Sequence, residues 1–158
     1  MRVSTPAITK KELYLRSGHL PYYAESMYPP MRLDEEEEYY LRPMNCPHHH
    51  KVYDMRPRSY RELPLRLSEY GNTYRYEKHG SVAGLIRVRA MCMNDAHIYC
   101  TPDQVEEEFR AVMQMYDRYY SHLRMGNFYV RLSLHASDTD KFAGDEAGWI
   151  DAEERARV

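Results

Sequence analysis

Between residues 74 and 100 the chain gathers side chains suited to a phosphorylated or carboxylate-bearing ligand. Arg75 and Glu77 come first, then a polar stretch with Gly80 and Gly84, then Arg87 and Arg89, and finally Asn94-Asp95-Ala96-His97. A guanidinium presents a planar fork of donors that matches phosphate and carboxylate oxygens. Residues two apart on a strand share a face, so these pairs would bring one carboxylate and several guanidiniums onto one sheet surface. Such a surface suits a phosphorylated ligand better than a sugar or a lipid. The same residues also suit a solvated hairpin with cross-strand ion pairs, and on residue types alone both readings stand.

A second cluster runs Pro43-Met44-Asn45-Cys46-Pro47-His48-His49-His50. The two prolines predict a stiff turn at Cys46, with three histidines directly after it. Thiol and imidazole are metal ligands, yet no Cys-x-x-Cys or His-x-x-x-His spacing fixes a zinc geometry, so an adventitious metal patch is an equal reading. Other candidates have plainer explanations. His19 beside Gly18 reads as a surface or capping group, and Cys92 and Cys100 read as strand packing. The acidic run at 34–38 reads as a solvated turn, because a calcium loop needs spaced oxygens and a central glycine.

The elements that must position these groups follow from periodicity. Alternation at 73–77 and 85–91 around a polar turn predicts an antiparallel hairpin with a long loop. Upstream, 3–6 is extended and closed by Pro6, 10–16 is a short helix, 39–42 a strand, and Pro64 ends a short helix before a strand at 65–68. Downstream, Thr101 as N-cap, Pro102 at the first helical position and Gln104 three residues after the cap open a helix. Its residues Val105, Phe109, Val112, Tyr116, Tyr119 and Leu123 form an apolar face, which predicts a core-packed helix to about 122. A strand at 128–134 and a helix from 150 to 157 follow. The sum is an α+β fold, an antiparallel sheet centred on the hairpin with helices on one side.

Composition sets the outer limits. With 158 residues one domain is expected. A net charge of −2 excludes an overall basic nucleic-acid clamp and leaves room only for a local RNA contact. Three cysteines without a signal pattern argue for reduced thiols or metal ligation over a disulfide framework. No apolar run approaches membrane-span length, so a soluble, cytoplasmic protein without a membrane partner is expected.

Order adds what residue types cannot. Arg75-x-Glu77, a glycine-bearing loop, Arg87-x-Arg89 and Asn94-Asp95-Ala96-His97 closely resemble motif 2 of the class II aminoacyl-tRNA synthetases, and within them the threonyl family. Further stretches fall in that family's order. Val3-Ser4-Thr5-Pro6 resembles the strand end of motif 1. Glu12 to His19 matches Glu-Leu-x-x-x-Ser-Gly-His, Met44-Asn45-Cys46-Pro47 its zinc-binding segment, and Ser59-Tyr60-Arg61-Glu62-Leu63-Pro64 its linker. Residues 140–145 with Trp149 resemble a loop before the next helix.

The resemblance implies that residues 1–158 form a partial class II catalytic domain, from the end of motif 1 through motif 2, without the Gly-x-Gly-x-Glu-Arg pattern of motif 3. It implies ATP-dependent activation of threonine to threonyl-adenylate and transfer to tRNA(Thr), impaired in this chain taken alone, with zinc, magnesium and ATP required. Arg75 and Arg87 would be catalytic. Arg75 would bind the α-phosphate, Arg87 the phosphate chain and Glu77 the adenine amino group. Met91 stands where many members have an aromatic that stacks on adenine, and its thioether can still pack on a ring. Met93 replaces an amide. Met44 and Asp95 would contact threonine, and Cys46 and His97 would bind zinc. The family's third zinc ligand falls beyond residue 158, so the metal would be held weakly or would borrow His48, His49 or His50. A homodimer is implied for the full-length enzyme. The alternative is a non-catalytic zinc- or nucleotide-binding module acting through a partner. An open sheet edge predicts marginal stability or self-association.

Overall fold

The computed structural model describes residues 1–35, 37–136 and 145–157. Two compact units emerge, Met1–Tyr99 and Cys100–Val158. The first holds strands β1 (Ile8–Lys10), β2 (Met31–Arg32), β3 (Glu38–Leu41), β4 (Leu65–Tyr74) and β5 (Ala90–Tyr99), with helices α1 (Lys11–Arg16), α2 (His19–Tyr22) and α3 (Cys46–Asp54). The second holds α4 (Val105–Leu123) and α5 (Glu146–Arg155). The architecture is α+β with antiparallel sheets. No helix among the described residues is long and apolar enough to cross a membrane.

In the first unit β3 lies between β1 and β2, antiparallel to both. The expected strand at 39–42 and helix at 10–16 are both present, each within a residue or so of the expected bounds. Beneath them Tyr14, Met27 and Tyr40 are buried, with Leu20 and Tyr23 packed around them. Tyr14 and Tyr40 meet edge to face with centroids 6.0 Å apart, a favoured aromatic geometry. The acidic run is tied down in part: Lys11 pairs with Glu38 at 2.8 Å and Arg32 with the same carboxylate at 2.9 Å, while Glu36 lies outside the described residues.

The second sheet is the hairpin β4–β5, and its arms differ from those expected. Each arm is ten residues long, paired from Leu65↔Tyr99 to Tyr74↔Ala90. Residues 65–68 and 73–74 therefore belong to one strand, and Arg75, Glu77, Arg87 and Arg89 lie in the connection instead of on the arms. Short alternation at 73–77 marks only the end of the longer strand. At 85–91 it misleads, because Leu85 and Ile86 are 97% and 96% exposed and have no core to face. Gly71 sits inside β4 for a packing reason: a Cβ there would stand 2.4 Å from Asn45 Oδ1. The extended N-terminus runs parallel to β4, with Val3 N donating to Ser68 O at 2.9 Å.

Cys46 opens a helix where a stiff turn was expected. Proline is tolerated in a first helical turn because its missing N–H would have no partner there, so Pro47 starts α3 instead of interrupting it. Before β4, Ser59 and Glu62 form a capping box around the turn Tyr60–Glu62.

In the second unit the capping box at Thr101 and Gln104 is present and leads through a tight turn into α4. The helix ends at Arg124, whose left-handed φ of 54° closes it. Its apolar face is not core-packed: Tyr116, Tyr119 and Leu123 are 44%, 56% and 67% exposed. The segment 128–134 forms no strand, because among the described residues no neighbouring strand pairs with it; Phe128 packs instead on Tyr120 of α4, centroids 4.7 Å apart. Residues 140–144 of the expected loop lie outside the described residues. Asp145 caps α5, accepting from Gly148 N at 2.7 Å, so this helix starts earlier than 150 and includes Trp149.

Candidate functional site

Two periodicities build the site. On β5, Asp95, His97 and Tyr99 point to one face at every second residue. On α3, Asn45, His49 and Tyr53 recur every fourth residue and form one stripe. Four helical residues rise about 6 Å and two strand residues about 6.7 Å, so the rows match step for step. Asn45 Nδ2 donates to Asp95 Oδ2 at 3.1 Å, His49 Nδ1 meets His97 Nδ1 at 2.8 Å, and the rings of Tyr53 and Tyr99 stack at 4.1 Å.

Cys46, one residue beyond Asn45, faces the same place. The donor atoms of Cys46, Asp95 and His97 lie within 4.8 Å of one another. The two expected ligands are thus brought together, and the third donor in reach is the Asp95 carboxylate, expected only to contact an amino acid. None of His48, His49 and His50 belongs to this group. Thiolate, imidazole and carboxylate together suit zinc, and three protein donors leave open positions of the kind seen in reactive zinc sites. All three residues are half-buried. Burial foremost, then the Asp95 charge, pushes the Cys46 thiol up, so a metal must displace its proton. Burial likewise lowers the His97 pKa and favours the neutral ring that ligates.

Behind this group lies a buried polar network that the sequence reading passed over. Glu69 stands opposite Asp95 in the hairpin and is 3% exposed. Its carboxylate accepts from Thr5 N at 2.8 Å and Thr5 Oγ1 at 2.7 Å, contacts His49 Nε2 at 3.0 Å and pairs with Arg42 at 3.2 Å. Burial pushes the Glu69 carboxyl up, but Thr5, His49 and Arg42 together outweigh it and hold the group below the usual range. Arg42 also donates to Asn72 O at 2.7 Å, which ties this network to β4. The alternation Leu67, Glu69, Gly71, Thr73 was the available signal, a carboxylate in the buried row of a strand.

The arginine group sits at the loop end of the hairpin. Arg75 continues the ladder through its backbone N to Arg89 O at 2.9 Å, and its side chain reaches Pro43 O at 3.4 Å, beside Met44. Glu77 and Arg87 are paired, Nη2 to Oε2 at 2.8 Å, while Arg89 Nε donates to Glu77 O at 3.0 Å. Across the hairpin Met91 is opposite Thr73 and Met93 opposite Gly71, on the same face as Asp95 and His97. Arg75, Met91, Met93, Asp95 and His97 therefore follow one another along the inner face from its loop end. A cavity of about 310 Å³ between α1 and α3, lined by Leu13, Arg16 and Tyr53 among others, includes none of Cys46, Arg75, Asp95 and His97.

Residues 22–153 match the tRNA synthetase class II core domain of the glycyl, histidyl, prolyl, seryl and threonyl group (G, H, P, S and T). The threonine–tRNA ligase of Thermus thermophilus is 51% identical over 154 residues, 96% of this chain and 23% of that protein. That of Streptomyces coelicolor is 49% identical over 155 residues, 98% of this chain and 23% of its own length. Among solved structures, the RNA binding domain of threonyl-tRNA synthetase from Cryptosporidium parvum superposes with a TM-score of 0.77 at 34% identity, over 99% of this chain and 38% of that one. The chain spans about a quarter of the length of these curated relatives, 23% in both. With the core-domain match running through both compact units, the chain belongs to the class II tRNA synthetase core-domain family.

Proposed function

We propose that residues 1–158 form a partial catalytic domain of a threonine–tRNA ligase and carry its threonine-selecting and ATP-contacting part. The observation that carries the reading is the convergence of Cys46, Asp95 and His97 at one end of a face whose other end holds Arg75. The reaction is attack of a threonine carboxylate oxygen on the α-phosphorus of ATP. A new P–O bond forms, the bond to the β,γ-diphosphate breaks and pyrophosphate leaves; magnesium, when bound, would neutralise its charge. A hydroxyl of the terminal ribose of tRNA(Thr) then attacks the threonyl carbonyl carbon, forming the ester as the bond to the adenylate phosphate breaks and AMP leaves.

Such a transfer needs alignment and charge stabilisation more than a strong base. Arg75 holds the α-phosphate and Arg87 the phosphate chain, while Glu77 accepts from the adenine amino group and Met91 packs on the ring. Their present mutual pairing is a small obstacle, because Arg87 is 58% exposed and exposed ion pairs contribute about 0–1 kcal/mol. Met44 and Asp95 contact threonine, and Asn45 orients the Asp95 carboxylate. Cys46 and His97 hold zinc with Asp95 in reach. When bound, that ion would supply Lewis-acid contacts for the amino and hydroxyl groups of threonine; isosteric valine lacks the hydroxyl, a difference that apolar packing alone discriminates poorly. A cytoplasmic location and dimerisation of the complete enzyme belong to the same proposal.

Calorimetric titration of the zinc-loaded chain with threonine and with valine tests this reading. Threonine should bind and valine should bind at least tenfold more weakly. Equal affinity for the two would reject it.

A further inference from the structure

With both imidazoles neutral, the row Glu69, His49, His97 admits one consistent assignment of protons. Glu69 already accepts from Thr5 and faces Arg42, so its carboxylate is an acceptor and His49 must donate to it from Nε2. A neutral imidazole has one donor and one acceptor nitrogen, which leaves His49 Nδ1 as an acceptor. The group 2.8 Å from that atom is His97 Nδ1, which must then carry the proton between them. His97 is left with its only free lone pair on Nε2.

We propose that Glu69 and His49 are positioning residues that fix the His97 tautomer, keeping the proton on Nδ1 and the Nε2 lone pair available to a metal ion beside Cys46 and Asp95. The inference rests on the metal reading above and extends it to residues that touch neither metal nor substrate. His49 is fully buried and Glu69 is anchored by Thr5 and Arg42, so the row has little freedom to adopt another arrangement. Metal-bound histidines commonly donate their second ring nitrogen to a fixed acceptor, which sets ring orientation and raises ligand basicity. Here that acceptor is another histidine, made an acceptor by a carboxylate.

Long-range proton–nitrogen NMR of the metal-free, histidine-labelled full chain reads the tautomers directly. The expected pattern is His49 protonated at Nε2 and bare at Nδ1, with His97 protonated at Nδ1 and bare at Nε2. On adding zinc the His97 Nε2 signal should shift while the Nδ1 proton stays. A His97 found bare at Nδ1 would overturn the proposal, even if zinc binds. Competition with a chromophoric chelator supplies the second readout: Glu69→Gln and His49→Phe should each weaken zinc binding by about 10–100-fold. Unchanged affinity in both variants would also overturn it. Failure of the metal reading itself would look different, as wild-type chain that takes up no zinc while keeping the expected tautomers. The wild-type spectrum keeps the test decisive if either variant fails to fold.

Discussion

Glu69 and Asp95 face each other across the β4–β5 hairpin, two carboxylates in register with opposite environments. Glu69 is buried and held by Arg42, His49 and Thr5, whereas Asp95 is half-buried beside Cys46 and His97. The pair separates a structural carboxylate from one free to meet a ligand.

Glu69→Ala should therefore lower stability by about 3–5 kcal/mol, because it leaves the Arg42 guanidinium buried without its counter-charge. Asp95→Asn should cost about 1 kcal/mol or less, since the amide keeps its size and the site is partly solvated. Urea denaturation of both variants checks the contrast, and similar losses would contradict it.

Gly71→Ala should destabilise the chain by about 1–3 kcal/mol. The new methyl would stand 2.4 Å from Asn45 Oδ1 and 2.9 Å from Arg42 Nη2, so Asn45 must move away from Asp95. Chemical denaturation reads the loss, and wild-type stability would show that the close approach is not rigid.

Removing the Tyr14 hydroxyl should be neutral or mildly stabilising. That oxygen is fully buried and has no hydrogen-bond partner among the described residues, and burial pushes its pKa well above the usual tyrosine range. Tyr14→Phe keeps the ring packing against Tyr40 and removes an unmet polar group. A loss above about 1 kcal/mol in thermal melting would reveal a partner for this hydroxyl.

At the arginine end, Arg75→Ala should weaken ATP binding by about 10–100-fold, the worth of a charge-assisted hydrogen bond. Glu77→Gln should leave stability nearly unchanged, because its partner Arg87 is 58% exposed and solvent screens the half-buried pair. Fluorescence titration with an ATP analogue and a thermal melt check both, and an unchanged affinity in Arg75→Ala would remove that residue from the site.

Local signals carried the reading where chemistry is local. The Thr101, Pro102, Gln104 cap predicted its helix start because capping depends on a few adjacent residues. Cys46 and His97 were reached only through resemblance, since one opens a helix and the other lies on a strand fifty-one positions away. The hairpin arms differ from those expected because alternation at 73–77 covers only the end of a ten-residue strand and that at 85–91 falls on the exposed connection. Asp95 as a third donor, and Glu69 with His49 behind it, depend on the match between helix and strand rise, which appears only once α3 lies on β5. The strand expected at 128–134 had the right alternation, but strands need partners, and alternation does not provide one.

The measurement that tests the central claim most directly is zinc content per chain after dialysis, for wild type and for Cys46→Ser, Asp95→Ala and His97→Ala. Wild type should retain about one ion, Cys46→Ser and His97→Ala should lose nearly all of it, and Asp95→Ala should fall between, as expected for donors of a shared site. Equal zinc in all four proteins, or none in wild type, would contradict the account.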